Sequence, residues 1–142
     1  MRSFVIFKDS NQYFGIDIEN VKRILLFPEL TDNPDEDEHI IGIFQYEDEI
    51  LKVMSFAKII ESDTANFIKE TQRCLILTDE DDKCFGLSVE LIEDIIHVKE
   101  DSLHIASEDT GMGSFIKIEA ILDDDGKLIT IVKDITISKR EN

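Results

Sequence analysis

Apolar residues in this chain come in short runs separated by acidic and turn-forming clusters, the rhythm of an all-β protein. Residues 4–7 form an apolar run rich in strand formers, and Lys8-Asp9-Ser10-Asn11-Gln12 is a turn cluster. Tyr13-Phe14-Gly15-Ile16-Asp17-Ile18 then resumes the strand pattern, with Ile16 and Ile18 on one face and Asp17 on the other. The chain therefore opens on a hairpin. Gly15 inside it marks a bulge or a closely packed neighbour. Residues 39–56 repeat the theme: two apolar runs flank Gln45-Tyr46-Glu47-Asp48-Glu49, a hairpin with an acidic tip, and Phe56-Ala57-Lys58-Ile59-Ile60 after it suits a short helix. A third hairpin pairs residues 73–78 with 84–89 about Asp81. A fourth pairs 115–122 with 127–132 about Asp125-Gly126, a dipeptide suited to a tight hairpin turn.

Other segments are less regular. Val21, Ile24 and Leu25 share one side at helical spacing, which predicts a turn of helix before Pro28 stops it. Residues 90–98 fit either a helix, by the spacing of Leu91, Ile92, Ile95 and Ile96, or a turn followed by a strand over 94–98. Residues 29–38, 62–72 and 99–113 read as loops, and 139–142 as a fraying tail. The sum is nine or ten short strands in two groups, an all-β architecture of small barrels.

At 142 residues and 42% hydrophobic composition, the chain supports a real core in one domain or two small subdomains. Its formal charge of −17 disfavours nucleic acid and anionic lipid as partners, and such a charge also serves simply to keep a protein in solution. No apolar run approaches the ~18 residues of a membrane span. Residues 1–8 hold too short an apolar stretch for a signal peptide, so the expected location is the cytoplasm, with no direct membrane insertion.

Catalytic and metal chemistry find little support. Cys74 and Cys84 fall on opposite arms of the third hairpin, Cys74 across from Ser88 and Cys84 across from Thr78, too far along the ladder for a disulfide. They read as reduced, space-filling thiols, two ligands short of a zinc site. Aligning Gly126 with the invariant glycine of a calcium loop puts Ile121 and Val132 at ligand positions, where neither offers a side-chain oxygen. Gly111-Met112-Gly113 lacks the further residues of a phosphate loop. His39, His97 and His104 are scattered, and His97 reads as a strand residue on a solvated face. Only the carboxylate clusters of residues 35–38 and 79–82 speak for a metal-dependent hydrolase, and no histidine accompanies them. The reading is a non-enzyme that needs no cofactor or metal and works by contact through an apolar patch or an open sheet edge.

The ordered series of segments resembles the CheW family of chemotaxis adaptors over nearly the whole chain. The residues that carry the resemblance are Tyr13 to Ile18 with Val21 and Ile24; Asn33-Pro34 followed by Ile41-Gly42-Ile43; Ile50-Leu51-Lys52-Val53-Met54-Ser55-Phe56; Phe85-Gly86-Leu87-Ser88-Val89-Glu90; and Asp125-Gly126-Lys127-Leu128-Ile129. The resemblance implies one CheW-like domain over residues 1–142, built of two intertwined, five-stranded SH3-like barrels sharing a core, with short helices. It also implies a non-catalytic scaffold that couples the cytoplasmic tip of methyl-accepting chemoreceptors to a CheA-type histidine kinase. A groove between the barrels would take the receptor tip, with Val21, Ile24 and Leu25 as its apolar stripe, although the same three residues equally suit buried core. Kinase contact would fall on Ile43, Phe44, Tyr46, Glu47 and Asp48.

The tip of the second hairpin departs from the family. Where the family carries Asn-Leu-Arg-Gly, this chain carries Gln45-Tyr46-Glu47-Asp48, so an arginine position is Glu47 and a glycine position is Asp48. A bidentate cation has become an anion. Ser55 stands where the family usually has aspartate, and Glu119 where it often has glycine. The expectation is a divergent member with altered partners. The alternative is a CheW-like module outside chemotaxis, or an inhibitory decoy, whose acidic tip meets a basic partner surface.

Overall fold

The computed structural model describes residues 1–32, 38–64, 68–79, 81–105 and 115–136. Eleven strands run through them: β1 (Arg2–Asp9), β2 (Gln12–Asp17), β3 (Val21–Leu26), β4 (Ile40–Tyr46), β5 (Glu49–Ser55), β6 (Arg73–Thr78), β7 (Cys84–Val89), β8 (Leu91–Val98), β9 (Leu103–Ile105), β10 (Ile116–Asp124) and β11 (Lys127–Ile135). One short helix, α1 (Phe56–Ile59), follows β5. The strands form a six-stranded sheet ordered β8-β1-β2-β11-β10-β9 and a five-stranded sheet ordered β3-β6-β7-β5-β4. The chain starts in the first sheet, builds the second with β3 to β7, and returns at Glu90 to finish the first. Each sheet has one parallel pair, β2 with β11 and β5 with β7, and all its other pairs are antiparallel.

Turn chemistry sets the hairpins. Ser10 and Asn11 both have positive φ, as do Asp125 and Gly126, so β1–β2 and β10–β11 close through two-residue turns of the type I′ kind. Alternation then divides the side chains between cores. Phe4 and Ile6 of β1 join Ala120, Leu122, Ile129 and Ile131 inside the six-stranded sheet, with Ile96, Val98 and Leu103 packed against them, so that sheet curls around its own core. Leu51, Val53, Cys74 and Ile76 do the same in the five-stranded sheet, with Leu25, Phe44 and Tyr46 beside them. The opposite faces meet in a third cluster drawn from both sheets, including Phe7, Phe14, Ile16, Phe56, Leu75, Phe85, Leu87 and Val132. The parallel pairs need glycine. Gly15 lies opposite Ile131, and a Cβ there would meet Ile131 Cδ1 at 2.8 Å; Gly86 lies opposite Val53, and a Cβ there would meet Cys74 Sγ at 2.8 Å.

The all-β reading with two sheet subdomains stands, with two corrections. Val21, Ile24 and Leu25 belong to strand β3, not to a helix; a single 3-10 turn, Ile18–Asn20, precedes it. The first sheet has six strands, because β9 and a 3-10 turn (Glu100–Ser102) occupy part of the expected loop after residue 98. Of the two alternatives left open for residues 90–98, the strand stands, and it is longer than expected at Leu91–Val98. The Cys74–Ser88 and Cys84–Thr78 pairings hold, and both thiols are free. Asn33-Pro34, most of the 35–38 acidic cluster, Glu80, Gly111-Met112-Gly113 and the 139–142 tail lie outside the described residues.

Candidate functional site

The residues singled out from sequence fall on opposite edges of the five-stranded sheet. β3 is one edge strand and β4 the other, so the structure does not bring the two sets together. Nor do Val21, Ile24 and Leu25 form one stripe. Val21 packs against the shared core, Leu25 against the five-stranded sheet's own core, and Ile24 is 37% exposed. A bulge between Val21 and Arg23 shifts the alternation and produces this split.

At the other edge, Phe44 and Tyr46 point inward, their rings 6.3 Å apart in an edge-on arrangement over that core. Ile43 is tied to Thr31 by two backbone hydrogen bonds, Thr31 N to Ile43 O (2.8 Å) and Ile43 N to Thr31 O (2.9 Å). This strap closes the middle of the β4 edge, and it lies so near Gly42 that a Cβ there would meet Leu30 Cβ at 2.7 Å. Glu47 and Asp48 form the exposed two-residue turn. Positive φ (55°) falls on Glu47, not on Asp48 at the expected glycine position. The first residue of the turn thus bears the strain, as in a type II′ turn.

Between the two sheets lies a groove that sequence reading placed only in general terms. Its cavity of about 170 Å³ is lined by Ile16 of β2, Asn20 of the 3-10 turn, Leu77, Thr78 and Phe85 of the third hairpin, Asp79 and Asp82 of that hairpin's turn, and residues 132–135 of β11. The floor is apolar and the lip is mostly acidic, with Lys133 its cation. No local motif could reveal it, because three separate stretches of chain meet there.

Two polar clusters also escaped the sequence reading. Asp9, 2% exposed, accepts hydrogen bonds from Ser10 Oγ (2.9 Å) and Glu90 N (3.2 Å), while Glu90 Oε1 accepts from Ser10 N (3.1 Å). The first hairpin's turn is thereby docked on the residue where the chain crosses between sheets. Burial pushes the Asp9 carboxyl up to about 6, and the neighbouring Glu90 charge adds to the rise. Arg2 bridges Asp17 (Nη2 to Oδ2, 2.9 Å) and Glu119, and burial of its surroundings is outweighed by these two acids, which hold its cation strongly. Glu119 sits where the β10–β11 register shifts. Cys74, fully buried, has its thiol pushed up to about 12 by desolvation, so it stays protonated and inert.

The family model of the CheW-like domain matches residues 3–139. The chain belongs to the CheW-like domain family. Among solved structures, it is similar to the scaffolding protein TtCheW from Thermoanaerobacter tengcongensis, with 25% identity, a TM-score of 0.82, and coverage of 93% of this chain and 84% of that one. No curated protein matches it. Within the CheW-like frame the departures acquire local explanations. Ser55 takes over helix capping, its Oγ accepting from Lys58 N at 3.3 Å, a role aspartate also fills. Glu119 supplies the second carboxylate for Arg2. The Glu47-Asp48 tip has no such internal role: among the described residues neither carboxylate has a hydrogen-bond or ion-pair partner, so both face solvent.

Proposed function

We propose that this chain is a non-catalytic adaptor that couples the cytoplasmic tip of a methyl-accepting chemoreceptor to a CheA-type histidine kinase. Family membership supports a role of the chemotaxis-adaptor type, and a scaffold family is consistent with work by contact rather than catalysis. The observation that carries the finer reading is the groove between the sheets, beside Val21, floored by buried apolar side chains and rimmed by polar and acidic ones. The receptor tip docks there. The kinase meets the outer end of the β4–β5 hairpin, where Ile43, Glu47 and Asp48 are presented and Phe44 and Tyr46 support them from inside. Coupling requires only that the adaptor bind two states of its partners unequally. No helix among the described residues is long and apolar enough to cross a membrane. In this reading, contact with receptor arrays is made through the receptor.

The test is capture from source cells with the native chain and, in parallel, with Glu47→Arg/Asp48→Gly. Recovery of a CheA-type kinase or a chemoreceptor by the native chain supports the adaptor reading. Recovery by the substituted chain alone shows that the native protein has left that partnership. The free acidic tip favours one second reading, a CheW-like module outside chemotaxis, or a decoy, bound to a basic surface. Its mark is an association rate that falls steeply with added salt; a salt-independent rate argues against it.

A further inference from the structure

The groove's size and charge select one kind of occupant. Pockets for drug-sized ligands run to about 300–1,000 Å³, so about 170 Å³ is room for a single long side chain. Ile16, Leu77, Phe85 and Val132 give it an apolar floor. Two carboxylates on its lip come from the turn between β6 and β7. Asp79 Oδ1 is committed to that turn, accepting from Asp81 N (2.8 Å) and Lys83 N (2.9 Å). Its other oxygen accepts nothing among the described residues. Asp82 is held in place through its backbone, N to Asp79 O at 3.1 Å with φ of 59°, and its carboxylate bonds no described residue. Asp134 is already engaged, and Lys133, the cation among the lining residues, is exposed.

An alkyl stem with a cationic head satisfies both parts, the stem leaving water against the floor and the head meeting the acids at the lip. A plain aliphatic group leaves the acids unanswered, and a carboxylate is repelled. We infer that the groove seats an arginine or lysine side chain of the receptor-side partner, its stem on Ile16, Leu77 and Val132 and its cation at Asp79 and Asp82. The partner's identity rests on the adaptor reading; the chemistry of the pocket does not.

The probe is n-butylguanidinium, set against n-butylurea, which has the same shape and no charge. Both are titrated into the full chain with labelled Ile, Leu and Val methyl groups, followed by NMR. The guanidinium is expected to shift the Ile16, Leu77 and Val132 methyls saturably and to bind about fivefold tighter than the urea, the upper range for a solvent-exposed ion pair. Asp79→Asn/Asp82→Asn keeps the turn, since the amide oxygen still accepts both N–H groups and Asn tolerates positive φ. That variant is expected to bind the two probes alike. Equal affinity of both probes for the native chain, undiminished guanidinium binding by the variant, or shifts elsewhere on the protein each overturn the inference. Seating of the guanidinium without capture of a kinase or receptor removes the adaptor reading and leaves the pocket. Capture with equal binding of the two probes does the reverse.

Discussion

Burial of Asp9 in the first hairpin's turn ties stability to pH in the direction opposite to that of a salt-bridged carboxylate. The folded group titrates near 6, above its ordinary 3.8, so between those values the folded protein binds more protons than the unfolded chain. Stability from this site is complete below about pH 4 and is lost as pH rises through 6. The whole shift is worth on the order of 2–3 kcal/mol. Asn in its place is neutral, accepts from Glu90 N and can donate to Ser10 Oγ. In urea unfolding, Asp9→Asn should therefore match the native chain near pH 4 and exceed it by about 2 kcal/mol at pH 7.5; a difference that stays constant with pH rules this out. Glu47 is a second residue-scale test. A non-glycine side chain at positive φ costs about 1 kcal/mol, so Glu47→Gly should raise the urea midpoint by that equivalent. Glu47→Val should lower it, because a branched side chain fits that conformation worse.

The elements differ in how openly the sequence declares them. The four hairpins were legible because turn residues and period-two alternation agree, most plainly at Asp125-Gly126. Strand β3 was not. Its bulge carries Val21 to one core and Leu25 to another, and the resulting spacing of apolar residues imitates a helix. β9, only three residues long, leaves no periodicity to read. Close contact between elements was half legible: Gly15 stood out as a glycine in a strand, but Gly86 did not, and neither did their neighbours across the parallel pairs. At Gly86 a methyl group would meet Cys74 Sγ at 2.8 Å and Val53 Cγ2 at 3.0 Å. Gly86→Ala is accordingly expected to destabilise by about 1–3 kcal/mol. Cys74→Ala removes the nearer atom, so the double variant should lose less than the sum of the two singles. Strict additivity in a double-mutant cycle refutes the steric account.

At the scale of the molecule, the groove's lining and the Asp9–Glu90 contact were invisible in sequence for one reason. Each is assembled from segments far apart in the chain, which meet only because the chain leaves the first sheet, builds the second and returns. The same path makes the two sheets share a core, and Phe56 is its joint. It stands after β5 of the five-stranded sheet yet packs edge-on against Phe7 (4.9 Å) and Phe14 (4.6 Å) of the six-stranded one. If the shared core binds the sheets into one cooperative unit, a cavity there weakens both. Phe56→Ala is expected to cost about 3–5 kcal/mol, a large part of the 5–15 kcal/mol typical of a domain. Native-state hydrogen exchange locates the loss. Slow amides of β10–β11 and of β6–β7 should lose protection by the same amount, although β10 and β11 lie in the sheet that does not contribute Phe56. Loss confined to β4–β7 would mean that the sheets open separately. The groove and the hairpin, the two surfaces proposed for receptor and kinase, would then have no common rigid body through which to communicate. Equal loss leaves that rigid connection in place, which is what an adaptor needs in order to pass a change at the groove to the hairpin.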